Sequence, residues 1–275
     1  MEYGLRLARL EAPPADPRDA CPAPWRELLP AGTAAALYFG SEFCEDRLPE
    51  LDEADGFCAL ARDLGWEATL LTPLATTAAL QRVRLLLDAL VARGWQPAVV
   101  FNDWGVLGLL REHHPQLPRR AGRLMNRSLR DPRAYRDAPD GNATHDGARF
   151  ARLRRFLADA GVAALETDAD LEGGFLGDGG DGLARALHLP YTFAASGRNC
   201  PLKALLYRDE GGFTKAIGDG CTAPCRGGPI AAQRADTPLP HWRAGNTVFY
   251  EVPPPALTGF IAHADRIVLH EEATP

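Results

Sequence analysis

Three of the six cysteines fall within one stretch, from Asn199 to Pro229. Cys221 and Cys225 are separated by Thr222, Ala223 and Pro224 and flanked by Gly220, Gly227 and Gly228. Glycine and proline let a backbone fold around a small object and point its amides inward at a charge. Cys200, Cys221 and Cys225 therefore read as ligands that want a fourth thiol, for a metal ion or an iron-sulfur cluster. The candidate lies far upstream, at Cys44 in L-Y-F-G-S-E-F-C-E-D-R. Structural zinc suits four thiolates equally well, although the paired C-x-x-C spacing of a zinc ribbon is missing. A radical-SAM triplet is incomplete, because Gly228 stands three positions after Cys225. Cys58 falls on a helix and reads as a small buried hydrophobe, and Cys21 as a non-ligand.

The elements that must position these thiols alternate. Tyr3 to Leu7 and Ala34 to Phe39 read as strands, the second ending at Gly40 and Ser41 just before Cys44. Ala54 to Leu64 has helical periodicity and closes at Gly65. Ala68 to Leu74 is the next strand and Thr76 to Ala92 the next helix, with Gly94 as its stop. Pro97 to Phe101 is a strand that delivers Asn102, Asp103 and Gly105 into a turn, and Val106 to His113 resumes helix. Ala121 to Met125 and Val162 to Glu166 read as strands, with a helix from Phe150 to Ala160. His188 to Phe193 is read as one strand running towards Cys200, and Asn246 to Val252 and Arg266 to His270 as two more.

Strands and helices alternating at this spacing predict an α/β fold of βα units with parallel strands. A complete or partial (β/α) TIM-barrel-like domain and an open doubly wound sheet both satisfy it, and no G-x-G-x-x-G follows the early strands. Either architecture gathers its functional groups on loops after the strands' C-terminal ends. Cys44, Asn102, Asp103, Asn126 and Glu166 fall at such ends. Glu166, Asp103 and Asn126 are thus candidates to bind a substrate, with helix capping as the alternative. No linker divides the chain, so one domain over residues 1–275 is expected.

Composition bounds the function. The 275 residues are 46% hydrophobic and 24% charged, a globular balance, and the net charge of -6 does not favour nucleic acid. No apolar run is long enough to span a bilayer, and Met-Glu-Tyr-Gly-Leu-Arg has no signal-peptide profile, so a cytoplasmic protein is expected. In that compartment disulfides are rare. Arg119, Arg120 and Arg123, like Arg152, Arg154 and Arg155, read as solvated faces, and His113, His114 and His145 as surface histidines. Asp131 to Gly147 and the glycine-rich Gly173 to Gly182 read as exposed loops. Asp178 and Asp181 lack the spacing and closing glutamate of a calcium loop.

The chain resembles the collagenase-like peptidase family that includes the UbiU and UbiV proteins, and is most similar to the UbiV type. The resemblance covers about Ala34 to Arg226. It is carried by Leu37 to Cys44 with Arg47, by Asn102-Asp103-Trp104-Gly105, by Gly122 through Asn126, by the approach to Glu166, and most specifically by His188-Leu189-Pro190 followed by Cys200, Cys221 and Cys225. It implies a TIM-barrel-like fold and an oxygen-sensitive [4Fe-4S] cluster held by Cys44, Cys200, Cys221 and Cys225 at the C-terminal face of the strands. It further implies oxygen-independent hydroxylation of a small aromatic molecule, as in anaerobic ubiquinone biosynthesis, in a heterodimer with a homologous UbiU-like subunit. A non-catalytic iron-sulfur or structural zinc subunit is the alternative. Glu45 and Asp46 depart from the basic residues usual in UbiV-like chains. Peptidase activity is not expected: H-E-x-x-H and G-x-S-x-G are missing, and in a Cys44–His188 pair an iron-bound thiolate could not attack a peptide.

Overall fold

The computed structural model of the chain describes residues 1–126, 130–136, 151–170, 182–205 and 220–274. Eight parallel strands close into a barrel: β1 (Glu2–Arg6), β2 (Thr33–Gly40), β3 (Glu67–Leu71), β4 (Ala98–Phe101), β5 (Arg119–Ala121), β6 (Val162–Asp168), β7 (Ala184–Leu189) and, from near the C-terminus, β12 (Arg266–His270). The last of these completes the ring by pairing with both β7 and β1. Between β7 and β12 the chain builds a second sheet of four strands, β8 (Tyr191–Ser196), β9 (Ile230–Arg234), β10 (Thr237–Ala244) and β11 (Thr247–Glu251), antiparallel in the order β8-β11-β10-β9. The fold is thus α/β and TIM-barrel-like, and the closed barrel excludes the doubly wound sheet.

Alternate strand residues face opposite ways. In β2, Leu37 and Phe39 join an outer core with Phe57 and Ala61 of α2 (Leu51–Leu64) and with Val83, Leu87 and Leu90 of α3 (Thr77–Ala92). Ala36 and Tyr38, between them, join Leu71, Val100, Ala186 and Val268 in a smaller cluster. Each fully buried Leu or Phe of the outer layer contributes on the order of 2 kcal/mol. The helix boundaries follow local chemistry. The Thr76 hydroxyl caps α3 by accepting from Ala79 N at 3.2 Å, and the Asp103 carboxylate caps α4 (Trp104–His113) by accepting from Gly105 N at 2.7 Å. Gly65 closes α2 at a φ of 72°. Cys58 and Cys21 are buried, as small hydrophobes, and burial pushes both thiols up to about 12.

The loop that carries Cys44 leaves β2 through Gly40, whose φ is 97°. A Cβ there would lie 2.5 Å from the carbonyl oxygen of Leu71, a backbone atom that also receives Ser41 N. Gly40→Ala is therefore expected to lower stability by about 1–3 kcal/mol, read as an earlier urea midpoint with an unchanged slope.

Three expectations need correction. The strand expected over Ala121 to Met125 lies earlier, at Arg119–Ala121, and Arg123–Asn126 forms a 3-10 turn. The Asn102 carboxamide, which fits only because Gly122 lacks a side chain, accepts from Leu124 N at 2.9 Å and draws the chain out of the sheet. The strand expected over His188 to Phe193 is two strands in two sheets, because Pro190 offers no N–H to extend the ladder. Nor do β9 and β10 stand out in the sequence, since Pro238 and Pro240 interrupt β10. From Asp131 onwards, Pro132–Arg136 makes a 3-10 turn where a loop was expected. Residues 137–147, His145, and the glycine-rich stretch with Asp178 and Asp181 lie outside the described residues. Among the described residues no helix is long and apolar enough to cross a membrane.

Candidate functional site

The C-terminal ends of the barrel strands carry a buried charge network. Arg123, in the turn after β5, is fully buried. Its Nε donates to Glu42 Oε2 at 2.9 Å, from the loop after β2, and its Nη1 donates to Oδ1 of Asp168, the last residue of β6, at 2.9 Å. The second oxygen of Asp168 accepts from Arg130 Nε at 2.6 Å, and Arg130 also donates to the side chain of Asn126. Phe43 and Phe193 cover the two guanidinium groups, with Arg130 4.0 Å from the Phe193 ring centre. Burial works against the charge on Arg123, but Glu42 and Asp168 more than compensate and raise its pKa above the ordinary arginine value.

A second network lies earlier on β5 and β6 and extends to β7 and β12. Glu166 of β6 is buried and accepts from Arg120 Nε at 2.5 Å through Oε1. Its Oε2 lies 2.8 Å from His188 Nε2, and His188 Nδ1 lies 2.8 Å from His270 Nε2, so a single N–H bridges the two rings. Burial alone would push the Glu166 carboxyl up. Arg120 and His188 outweigh it and hold the group down at about 2. His270 is held well below its ordinary value of 6.5, first by burial and then by the charges of His188, Arg123 and Arg6. The result is an anion with a fixed partner and a two-histidine chain running from it.

The structure therefore separates the three candidate substrate residues. Asp103 uses its carboxylate to cap α4, Glu166 lies inside the barrel between Arg120 and His188, and Asn126 stands at the mouth against Arg130. Arg120 and Arg123, expected on a solvated face, are instead buried partners of carboxylates; of the second cluster, Arg152 and Arg155 are exposed. His113 is exposed as expected, but His114 is buried, with Nε2 3.1 Å from Asp88. Glu42, Asp168, His188 and His270 were not predicted as one constellation. The available signal was a single histidine near the C-terminal end of an otherwise largely apolar strand, as in A-R-A-L-H-L and R-I-V-L-H.

The cysteine-bearing segments meet near the same end of the barrel. Arg47, three residues beyond Cys44, places Nη1 3.7 Å from Cys225 Sγ. Lys203, in the short helix α6 (Pro201–Ala204) that follows Cys200, sends its ammonium 3.0 Å to Asp46. Two of the sulfurs also accept amides, Cys200 from Lys203 N at 3.4 Å and Cys221 from Ala223 N at 3.3 Å. N–H donors and a guanidinium at sulfur are what thiolate ligands require, so the donor chemistry fits a cluster or a thiolate-bound metal. The Cys44 thiol is pushed up to about 12, chiefly by burial and further by the charges of Asp46, Cys225 and Cys200. Among the described residues no three His, Cys, Asp or Glu side chains stand close enough together to hold a metal ion. The segments converge without forming a closed ligand set.

Fold and site together define an α/β-barrel protein with a charged, ion-paired interior and a second sheet inserted before its last strand. No family model and no curated protein matches the chain. Among solved structures, that of the U32 peptidase Mk0906 is similar over 100% of this chain and 94% of that chain, at 13% identity and a TM-score of 0.45.

Proposed function

We propose that the chain is a [4Fe-4S] protein taking part in oxygen-independent hydroxylation of a small aromatic molecule, together with a homologous partner subunit. Cys44, Cys200, Cys221 and Cys225 would hold the cluster. The observation that supports this reading is the convergence of their three segments, tied by Arg47 to Cys225 and by Lys203 to Asp46. When bound, the cluster supplies one-electron chemistry, its potential set by burial and by N–H donors to the sulfurs. The chain's own part is to hold those donors and the basic groups of Arg47 and Lys203 at the sulfurs. Glu166 acts from inside the barrel by keeping Arg120 and His188 in place. Asn126 acts from the mouth through Arg130.

Purification under anaerobic conditions, with iron, sulfide and zinc assays, tests the reading. Iron and sulfide at about four each per chain are expected, with visible absorption that bleaches in air. Cys221→Ala and Cys225→Ala should lose both. Zinc in place of iron, or metal content unchanged in the two variants, would overturn the redox role and leave thiols that serve structure alone.

A further inference from the structure

The segments that leave β1, β2 and β12 at the C-terminal face of the barrel meet the cysteine loop around a cavity of about 270 Å³. Its wall carries Arg9 from the segment after β1, Arg47 and Glu53 from the segment after β2, Glu272 from the segment after β12, and Arg226 beside Cys225. A smaller cavity of about 170 Å³ adjoins it, shares Ala8, Arg9 and Glu272, and adds Arg6, Glu11 and Glu271. The space suits a small organic molecule, at the lower end of ordinary ligand pockets.

The charges of the larger cavity do not neutralise one another. Arg9, Arg47, Arg226, Glu53 and Glu272 have no ion-pair partner among the described residues. Arg9 Nη2 reaches the carbonyl oxygen of Arg226 at 3.4 Å, and Arg47 Nη1 lies 3.7 Å from Cys225 Sγ. By contrast, Arg133 and Arg234 pair directly with Asp131 and Asp236. Groups of opposite sign that line one cavity without touching are complementary to a ligand that carries both signs. Behind them Arg6 is buried, its guanidinium on the carbonyl oxygens of Leu7 and Gly40 and with no carboxylate in ion-pair contact among the described residues. In the smaller cavity burial, and then the charges of Glu11 and Glu272, hold the Glu271 carboxyl above its usual range. A cation placed at Glu272 relieves that repulsion.

We propose that the larger cavity binds an amino acid with an acidic side chain, its two carboxylates on Arg9, Arg47 and Arg226 and its ammonium on Glu272. Three arginines against two glutamates leave one positive charge in excess, which matches the single net negative charge of such a molecule. The planar arginine fork takes a carboxylate through two parallel N–H donors. The proposal goes beyond the cluster reading and does not rest on it, because none of the binding groups is a thiol.

Isothermal titration of the full chain with L-glutamate provides the test, with glutarate and L-norvaline as controls. Glutarate lacks the ammonium and L-norvaline the second carboxylate, so each should bind at least about tenfold more weakly than L-glutamate. Glu272→Gln should remove the preference for L-glutamate over glutarate. Arg9→Gln, a change at an exposed position, should weaken both by about tenfold. Ala8→Leu, which fills the junction of the two cavities without touching a charge, should abolish binding while the thermal transition is retained. Should the leucine prevent folding, the Arg9 and Glu272 variants decide alone. Iron and sulfide assayed on the same samples report on the cluster separately, so either reading can fail without the other. Absence of saturable binding up to ~10 mM would overturn the proposal. So would equal binding of all three compounds, unchanged binding in Arg9→Gln and Glu272→Gln, or a folded Ala8→Leu protein that binds as the wild type does.

Discussion

Arg123→Met is expected to destabilise the protein by about 3–5 kcal/mol, the largest effect of any single change at the barrel mouth. The methionine replaces the volume, but it removes the guanidinium that the buried Glu42 and Asp168 share. Arg130 still reaches Asp168, so Glu42 is the group left fully exposed to the penalty. Its other oxygen, Oε1, is already buried without a partner among the described residues. The paired change Glu42→Gln with Arg123→Met should therefore recover a large part of the loss, since an amide costs far less to bury than a carboxylate. Urea denaturation of the wild type, the two single variants and the double variant gives the coupling directly. A coupling below about 0.5 kcal/mol would mean that the two groups do not act as a pair, and the account of the mouth would fall.

Glu166→Gln should have an effect of similar size at neutral pH and a distinct signature in acid. Arg120 would be left buried, with Glu67 Oε1 at 3.7 Å as its remaining opposite charge among the described residues, at a cost of about 3–5 kcal/mol. In the wild type, Glu166 is held down at about 2 from an ordinary 4.5, and His270 well below 6.5. Both groups bind fewer protons folded than unfolded in the intervening range, so stability falls as the pH drops. The His270 contribution is present above about 6.5 and declines as the pH falls below that value, while the Glu166 contribution is lost between about 4.5 and 2. The variant lacks the titrating carboxyl and should lose the lower limb while keeping the upper one. Urea midpoints collected from neutral pH to about pH 3 distinguish the two limbs. A lower limb as steep in Glu166→Gln as in the wild type would assign the acid sensitivity elsewhere.

Most of the outer barrel was legible in the amino-acid order. The strand at Ala34 to Phe39, the helix ended by Gly65 and the helix begun at Thr76 are local events, set by apolar periodicity and by caps that act within one turn. The proximity of Cys44 to Cys225 is different. It depends on residues far apart in the chain, through Arg47 at Cys225, and residue types alone offered Cys44 only as a candidate fourth thiol.

What the sequence determined by itself is the βα alternation, the placement of Cys44 and Asp103 at strand ends, and the burial of Cys58. Only the tertiary structure decided that Arg120 and Arg123 turn inward, that His188 joins Glu166 to His270, and that Pro190 divides two sheets. A charged residue in a short strand faces inward or outward by one step of register, and its pattern alone does not say which. The choice is made when barrel closure places a carboxylate opposite a guanidinium, because burying either alone costs several kcal/mol and burying them together removes most of that cost.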